Sequence, residues 1–148
     1  KAIAKTSCKV GREANYVVGQ KPYKEPAKFE DSCSLSHARF EYYEEKRTKE
    51  SRYHLNAPSY GWLGNAMRLN RYLEKTGWKK IAAPVMLFSA GKDNLVSNAE
   101  QERFVRKLNK NRPGSAELVK FPESKHEIFN AGNDIAEEYW KKVFSFFE

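Results

Sequence analysis

A chain of 148 residues with 40% hydrophobic side chains is long enough for one domain and has no bias towards disorder. It contains no run of about 18 apolar residues, which excludes a helical membrane span, and its opening stretch KAIAKTSCKVGREANY lacks the apolar core of a secretory signal. The net charge of +8 lies wholly in residues 1–80, which hold 17 Lys and Arg against 9 Asp and Glu, whereas residues 81–148 hold 10 of each.

Residues 1–30 are punctuated by Gly11, Gly19, Pro22 and Pro26 and show no regular period. DSCSLSHARFEYYEEKRTKE, residues 31–50, reads as a helix. Lys46, Arg47, Lys49 and Arg52 interleave with Glu44, Glu45 and Glu50, the pattern of a solvated helix face. Such a basic surface suits an anionic partner, but no recognition motif accompanies it, so no nucleic acid is expected. APSYGWLGNAMRLNRYLEKTG, residues 57–77, gives a second helix: Trp62, Ala66, Leu69 and Leu73 recur every three or four positions, with Ser59 to cap the start and Gly77 the end. Tyr42, Tyr43, Trp62, Met67 and Tyr72 read as packing residues, some of them available to an acyl chain. Cys8 and Cys33 lack metal-ligand spacing and are expected as free thiols without a catalytic role. His37 and His54 have no partner that the sequence names and are read as structural.

From residue 81 the pattern is clearer. IAAPVMLFSAG, with Pro84 near its start and Gly91 at its end, suits a strand buried on both faces of a parallel sheet. A GKDN turn follows. Ser97 and Glu100 then have capping-box spacing, and Phe104, Val105 and Leu108 continue a helix that NKNRPG ends. AELVKF is the next strand, cut off by Pro122 and followed at once by the loop of His126. From Asn133, read as the cap, Ile135, Ala136, Tyr139, Trp140, Val143, Phe144 and Phe147 share one helix face. Two strands joined by a helical crossover lie parallel as neighbours, so the loops leaving their carboxyl ends share one sheet edge, where open α/β folds carry their sites. Asp93 stands in the first loop and His126 in the second, 33 positions apart in sequence.

PVMLFSAGKDNLVSNAEQERFVRKL followed by AELVKFPESKHEIFN resembles the last third of α/β-hydrolases, in particular the bacterial lysophospholipases and monoacylglycerol-lipase-like enzymes of the serine-aminopeptidase type. The resemblance implies that Asp93 in GKDNLV is the triad acid and that His126 in HE is the triad base. SLSHARFEYYEE and APSYGWL look like the family's cap. The implied organisation is a helical cap in residues 1–80 and the carboxyl-terminal part of an α/β-hydrolase core in residues 81–148. The nucleophile motif G-x-S-x-G is absent, and so is the oxyanion loop. Triad order places both before the acid, so the chain reads as a fragment whose missing amino-terminal part supplies them. Glu127 beside the base is expected to orient the loop and to take no chemical step. Alone, the fragment is expected to be inactive and poorly behaved, with an uncovered sheet edge.

The function this implies is a serine hydrolase of lipid carboxylic esters, a lysophospholipase, with no cofactor and no metal. A related esterase, thioesterase or peptidase would use the same Asp93 and His126. The basic residues 1–80 fit phosphate headgroups, peripheral contact with an anionic membrane and a cytoplasmic location at the inner membrane. The alternative is a noncatalytic module on a hydrolase-like scaffold that docks on a membrane or an acidic partner.

Overall fold

A computed structural model describes residues 2–24 and 26–148 of the protein. Its contacts divide the chain into two units, Lys1–Pro26 with Lys46–Lys80, and Ala27–Glu45 with Ile81–Glu148. One helix, α2 (His37–Lys49), runs across the division.

The first unit is helical. Within the stretch that shows no period, α1 (Ala2–Lys9) forms a short helix that packs on α3 (Tyr60–Lys75). Small residues allow the approach, since a Cβ on Gly64 would meet the Cys8 sulfur at 3.7 Å. Ser59 caps α3 as its position implies, its hydroxyl accepting the Trp62 amide at 3.2 Å. The helix ends at Thr76, and Gly77 instead opens a 3-10 turn. A side chain there would strike the Tyr72 ring at 2.5 Å, so the glycine answers to packing and not to a left-handed cap.

Two sequence expectations fail in α2. Arg47 is 8% exposed instead of solvated: its guanidinium lies 4.6 Å over the Tyr23 ring, and Nη2 donates to the Leu55 carbonyl at 2.6 Å. Glu44 is also buried and accepts the Ala27 amide at 3.0 Å. Lys46 and Lys49 are exposed as the pattern implies, and after the helix the exposed Arg52 donates to Glu50 at 2.8 Å.

The second unit holds the sheet. Strands β1 (Val85–Ala90) and β2 (Ala116–Phe121) pair in parallel, in register from Val85 opposite Ala116 to Ala90 opposite Phe121. Between them runs α4 (Asn98–Asn111), capped by the Ser97 hydroxyl on the Glu100 amide. Alternation along the strands separates two faces. On one, Ser89 hydrogen-bonds Asn98 at 3.2 Å and Lys120 reaches Glu102 at 2.5 Å, so α4 lies there. On the other, Phe88, Ala90, Val119 and Phe121 form the core with Ile128 and with Ile135 and Tyr139 of α5 (Asn133–Phe147). The Phe88 and Tyr139 rings are 4.7 Å apart. Helices on both faces of a parallel sheet make an α/β layer arrangement.

β1 was expected to be buried on both faces, yet Val85 to Phe88 are only half-buried. The sheet of the described residues has two strands, so the outer edge of β1 has no neighbour. On α5, Trp140, Phe144 and Phe147 are exposed for the same lack of cover. The cap of α5 is also displaced by one residue: Gly132 occupies it, and the Asn133 side-chain oxygen accepts from Arg39 instead.

Candidate active site

Parallel pairing delivers the ends of β1 and β2 to the same edge, and the loops that leave them are joined by backbone contacts. The Gly91 amide donates to the Phe121 carbonyl at 2.9 Å, extending the ladder by one residue, and the Lys92 amide donates to the Ser124 carbonyl at 2.9 Å. Gly91 lies so close to Pro122 that an added Cβ would stand 2.1 Å from its carbonyl oxygen. Glycine is required here by close approach. Lys92 and Glu123 pair at 2.7 Å across the same loops, but both are exposed, and such a pair contributes little.

The consequence is at the next positions. His126 Nδ1 lies 2.8 Å from Asp93 Oδ2, so the two residues singled out by sequence do meet. The Asp93 side chain is 3% exposed and that of His126 is 38% exposed. Oδ1 of Asp93 accepts two backbone amides, from Leu95 at 2.8 Å and Val96 at 3.1 Å, which fix the carboxylate plane. Burial alone would raise the Asp93 pKa; the hydrogen bonds from His126, Leu95 and Val96 together outweigh it and hold the carboxyl below the usual aspartate value. An ionised carboxylate only accepts. In the neutral ring Nδ1 therefore carries the hydrogen, and Nε2 is left with the lone pair of a base.

His126, Asp93, Phe88, Gln101, Phe129 and Tyr139 are among the residues lining a cavity of about 150 Å³. The Gln101 amide donates to the Phe88 carbonyl at 3.3 Å, while its buried Oε1 has no hydrogen-bond partner. Glu127, expected to orient the loop, accepts from the Asn130 side chain at 2.8 Å and so braces the turn at Ile128–Asn130.

The other singled-out residues lie elsewhere. Cys8 and Cys33 are free thiols. Burial raises the Cys33 pKa, and the negative charges of Glu127 and Asp93 raise it further against the opposing effect of Lys125, which keeps sulfur protonated. His37 pairs with Glu41 at 3.2 Å, and His54 stacks on Tyr23 at 4.2 Å. Tyr42, Tyr43, Trp62 and Tyr72, read as packing residues, are exposed. Trp62 and Tyr72 line an open groove of about 700 Å³ along α3 with Ala66 and Leu69. Among the described residues no cluster of three or more His, Cys, Asp or Glu side chains is arranged to hold a metal ion.

The depressed Asp93 pKa has a consequence for stability. A carboxylate whose folded pKa lies below the unfolded one stabilises the fold fully above the unfolded value, and that contribution is lost as pH falls through the folded value. Unfolding by urea from neutral pH down to about pH 2 is expected to show a smaller acid loss in Asp93→Asn than in the parent chain. Equal acid loss in both would show that Asp93 has no such role.

Compared with known proteins, the chain has no match among the curated proteins or the solved structures. The model of the dienelactone hydrolase family matches residues 49–148, a span that takes in both strands, Asp93 and His126. That family places the chain among hydrolases with the α/β-hydrolase fold, as the sequence resemblance implied, but through a different family of the fold than the lysophospholipases. With about two thirds of its length matched, the chain belongs to the dienelactone hydrolase family.

Proposed function

We propose that the chain supplies the acid and the base of a nucleophilic hydrolase of carboxylic esters. The observation that carries this reading is the 2.8 Å contact between His126 Nδ1 and the buried Asp93 carboxylate. In the proposed reaction Nε2 of His126 takes the nucleophile's proton as it attacks the ester carbonyl and returns it to the leaving alcohol. Asp93 holds the tautomer and stabilises the imidazolium between the two transfers. The nucleophilic serine and the oxyanion donors are proposed to lie in sequence before Lys1. The bare outer edge of β1 and the exposed Trp140, Phe144 and Phe147 support this, since a parallel sheet is ordinarily covered by further strands and helices.

Residues 1–80 are proposed as the cap, on the resemblance of SLSHARFEYYEE and APSYGWL to such caps. A lysophospholipid is the proposed substrate. The positive excess of residues 1–80 supports it, as does the groove where Trp62, Leu69 and Tyr72 lie exposed beside Arg68. The same features support peripheral contact with anionic lipid at the inner membrane.

Two observations test the reading. The complete gene is expected to encode a glycine-flanked serine between a strand and a helix upstream of Lys1; without one, the noncatalytic docking module becomes the better account. The complete protein is then offered a lysophospholipid, a monoacylglycerol, a lactone and a thioester, with and without anionic vesicles. Preferred turnover of the lysophospholipid, increased by the vesicles, is expected. Preference for the lactone would overturn the lipid assignment and leave the ester chemistry standing.

A further inference from the structure

The loop that bears His126 is held by a segment more than 90 residues earlier in the chain. Just before the histidine, Lys125 Nζ donates to the Ser32 carbonyl at 2.9 Å. Just after it, the Glu127 amide donates to the Cys33 carbonyl at 3.3 Å. Three donors then converge on the Asn130 carbonyl: the Ser34 hydroxyl at 2.7 Å and the amides of Leu35 and Ser36 at 3.2 and 3.0 Å. Arg39 completes the set, with Nη1 donating to the Ala131 carbonyl and Nη2 to the Asn133 side-chain oxygen at 2.8 Å. Ser34 is 1% exposed and Ala131 is fully buried, so the bonds of the Ser34 hydroxyl and of the Ala131 carbonyl are shielded from competition by water, whereas the bond from Arg39 to Asn133 is exposed.

The geometry has a directional meaning. Asp93 is fixed by its own loop through bonds to its side chain from Leu95 and Val96, whereas the local bonds of the His126 loop, the Ser124 amide on the Phe121 carbonyl at 3.1 Å, the Ile128 amide on the His126 carbonyl at 3.2 Å and Glu127 on Asn130, are made by the main chain and by Glu127 and not by the imidazole. Its loop leaves β2 at Pro122 and regains regular structure only at Ile128. Within that interval Lys125 and Glu127 donate to the carbonyls of Ser32 and Cys33 on either side of the imidazole, and Ser34 and Arg39 hold the turn that follows, at Asn130 to Asn133.

We propose that residues 32–39 form a clasp in which Arg39 and Ser34 are positioning residues for His126, setting its ring against Asp93. Their effect on turnover rests on the hydrolase reading above; their effect on ring placement does not. The hydrogen that Nδ1 shares with Asp93 is expected to give a low-field proton NMR resonance that reports ring placement in the 148-residue chain without substrate, and His126→Ala is expected to identify it by its loss.

Arg39→Ala is expected to broaden or abolish that resonance. In the complete enzyme it is expected to lower kcat by about 10- to 100-fold, the effect of a small misplacement of a catalytic group, with KM little changed. Arg39→Lys, which keeps one donor of the fork, is expected to recover part of both signals. Where Arg39→Ala fails to fold, Ser34→Ala is read in the same way, since it removes one buried hydroxyl and adds no bulk. An intact resonance in folded Arg39→Ala and Ser34→Ala overturns the clasp whatever the enzyme does. If the resonance is lost in these variants and turnover survives in His126→Ala, the clasp stands and the hydrolase reading falls.

Discussion

In the complete protein, Asp93→Asn is expected to lower kcat by about 10,000-fold, and His126→Ala by about a millionfold, with KM little changed and the native fold retained at neutral pH. The asparagine case turns on hydrogen-bond direction. Oδ1 of Asp93 accepts the amides of Leu95 and Val96, so an asparagine would turn its own oxygen to those donors to avoid leaving them unpaired. Its NH2 group would then face His126 Nδ1, which lies 2.8 Å from the other oxygen in the parent chain. A donor at that place forces the ring hydrogen onto Nε2, the nitrogen that must accept the nucleophile's proton. The side-chain volume is unchanged, so the loss reports the tautomer and the charge, not packing. Turnover within tenfold of the parent in both variants would remove Asp93 and His126 from the chemistry.

That these two residues meet was legible because it follows from local signals and one topological rule. The apolar runs around Leu87 and Leu118, the Ser97 cap and the amphipathic helix between them specify strand, helix, strand, and a parallel crossover brings both outgoing loops to one edge. α5 was legible for the same reason, through its single apolar stripe. Where the sequence misleads, the deciding partner is remote. Arg47 looks like one of a solvated run, and only the Tyr23 ring and the Leu55 carbonyl explain its burial. Asn133 has the composition of a cap, and Arg39, 94 positions away, takes its oxygen. The α1 helix is too short to display a period. The clasp at Ser34 and Arg39 leaves no trace that spacing could detect, since its acceptors are mostly main-chain carbonyls that any sequence would offer.

Gly91→Ala is expected to destabilise the fold by about 3 kcal/mol or more, an effect beyond that of most single substitutions. Read from sequence, Gly91 is an ordinary strand-ending glycine; in the fold its missing side chain lets two backbones touch. An added Cβ would stand 2.1 Å from the Pro122 carbonyl oxygen, 2.6 Å from its Cα and 2.7 Å from its carbonyl carbon. All three atoms are main chain, so no rotamer change relieves the clash, and the loop after β2 has to move. That movement breaks the bonds from Gly91 to Phe121 and from Lys92 to Ser124, and it carries His126 away from Asp93. Gly114→Ala is the control, because its φ of 75° is unfavourable for alanine while nothing lies within 4 Å of the new atom. That variant is expected to lose only about 1 kcal/mol, the conformational term alone. Urea unfolding midpoints of the two variants check the difference. Equal losses would mean that Gly91 serves backbone conformation rather than the contact that brings base and acid together.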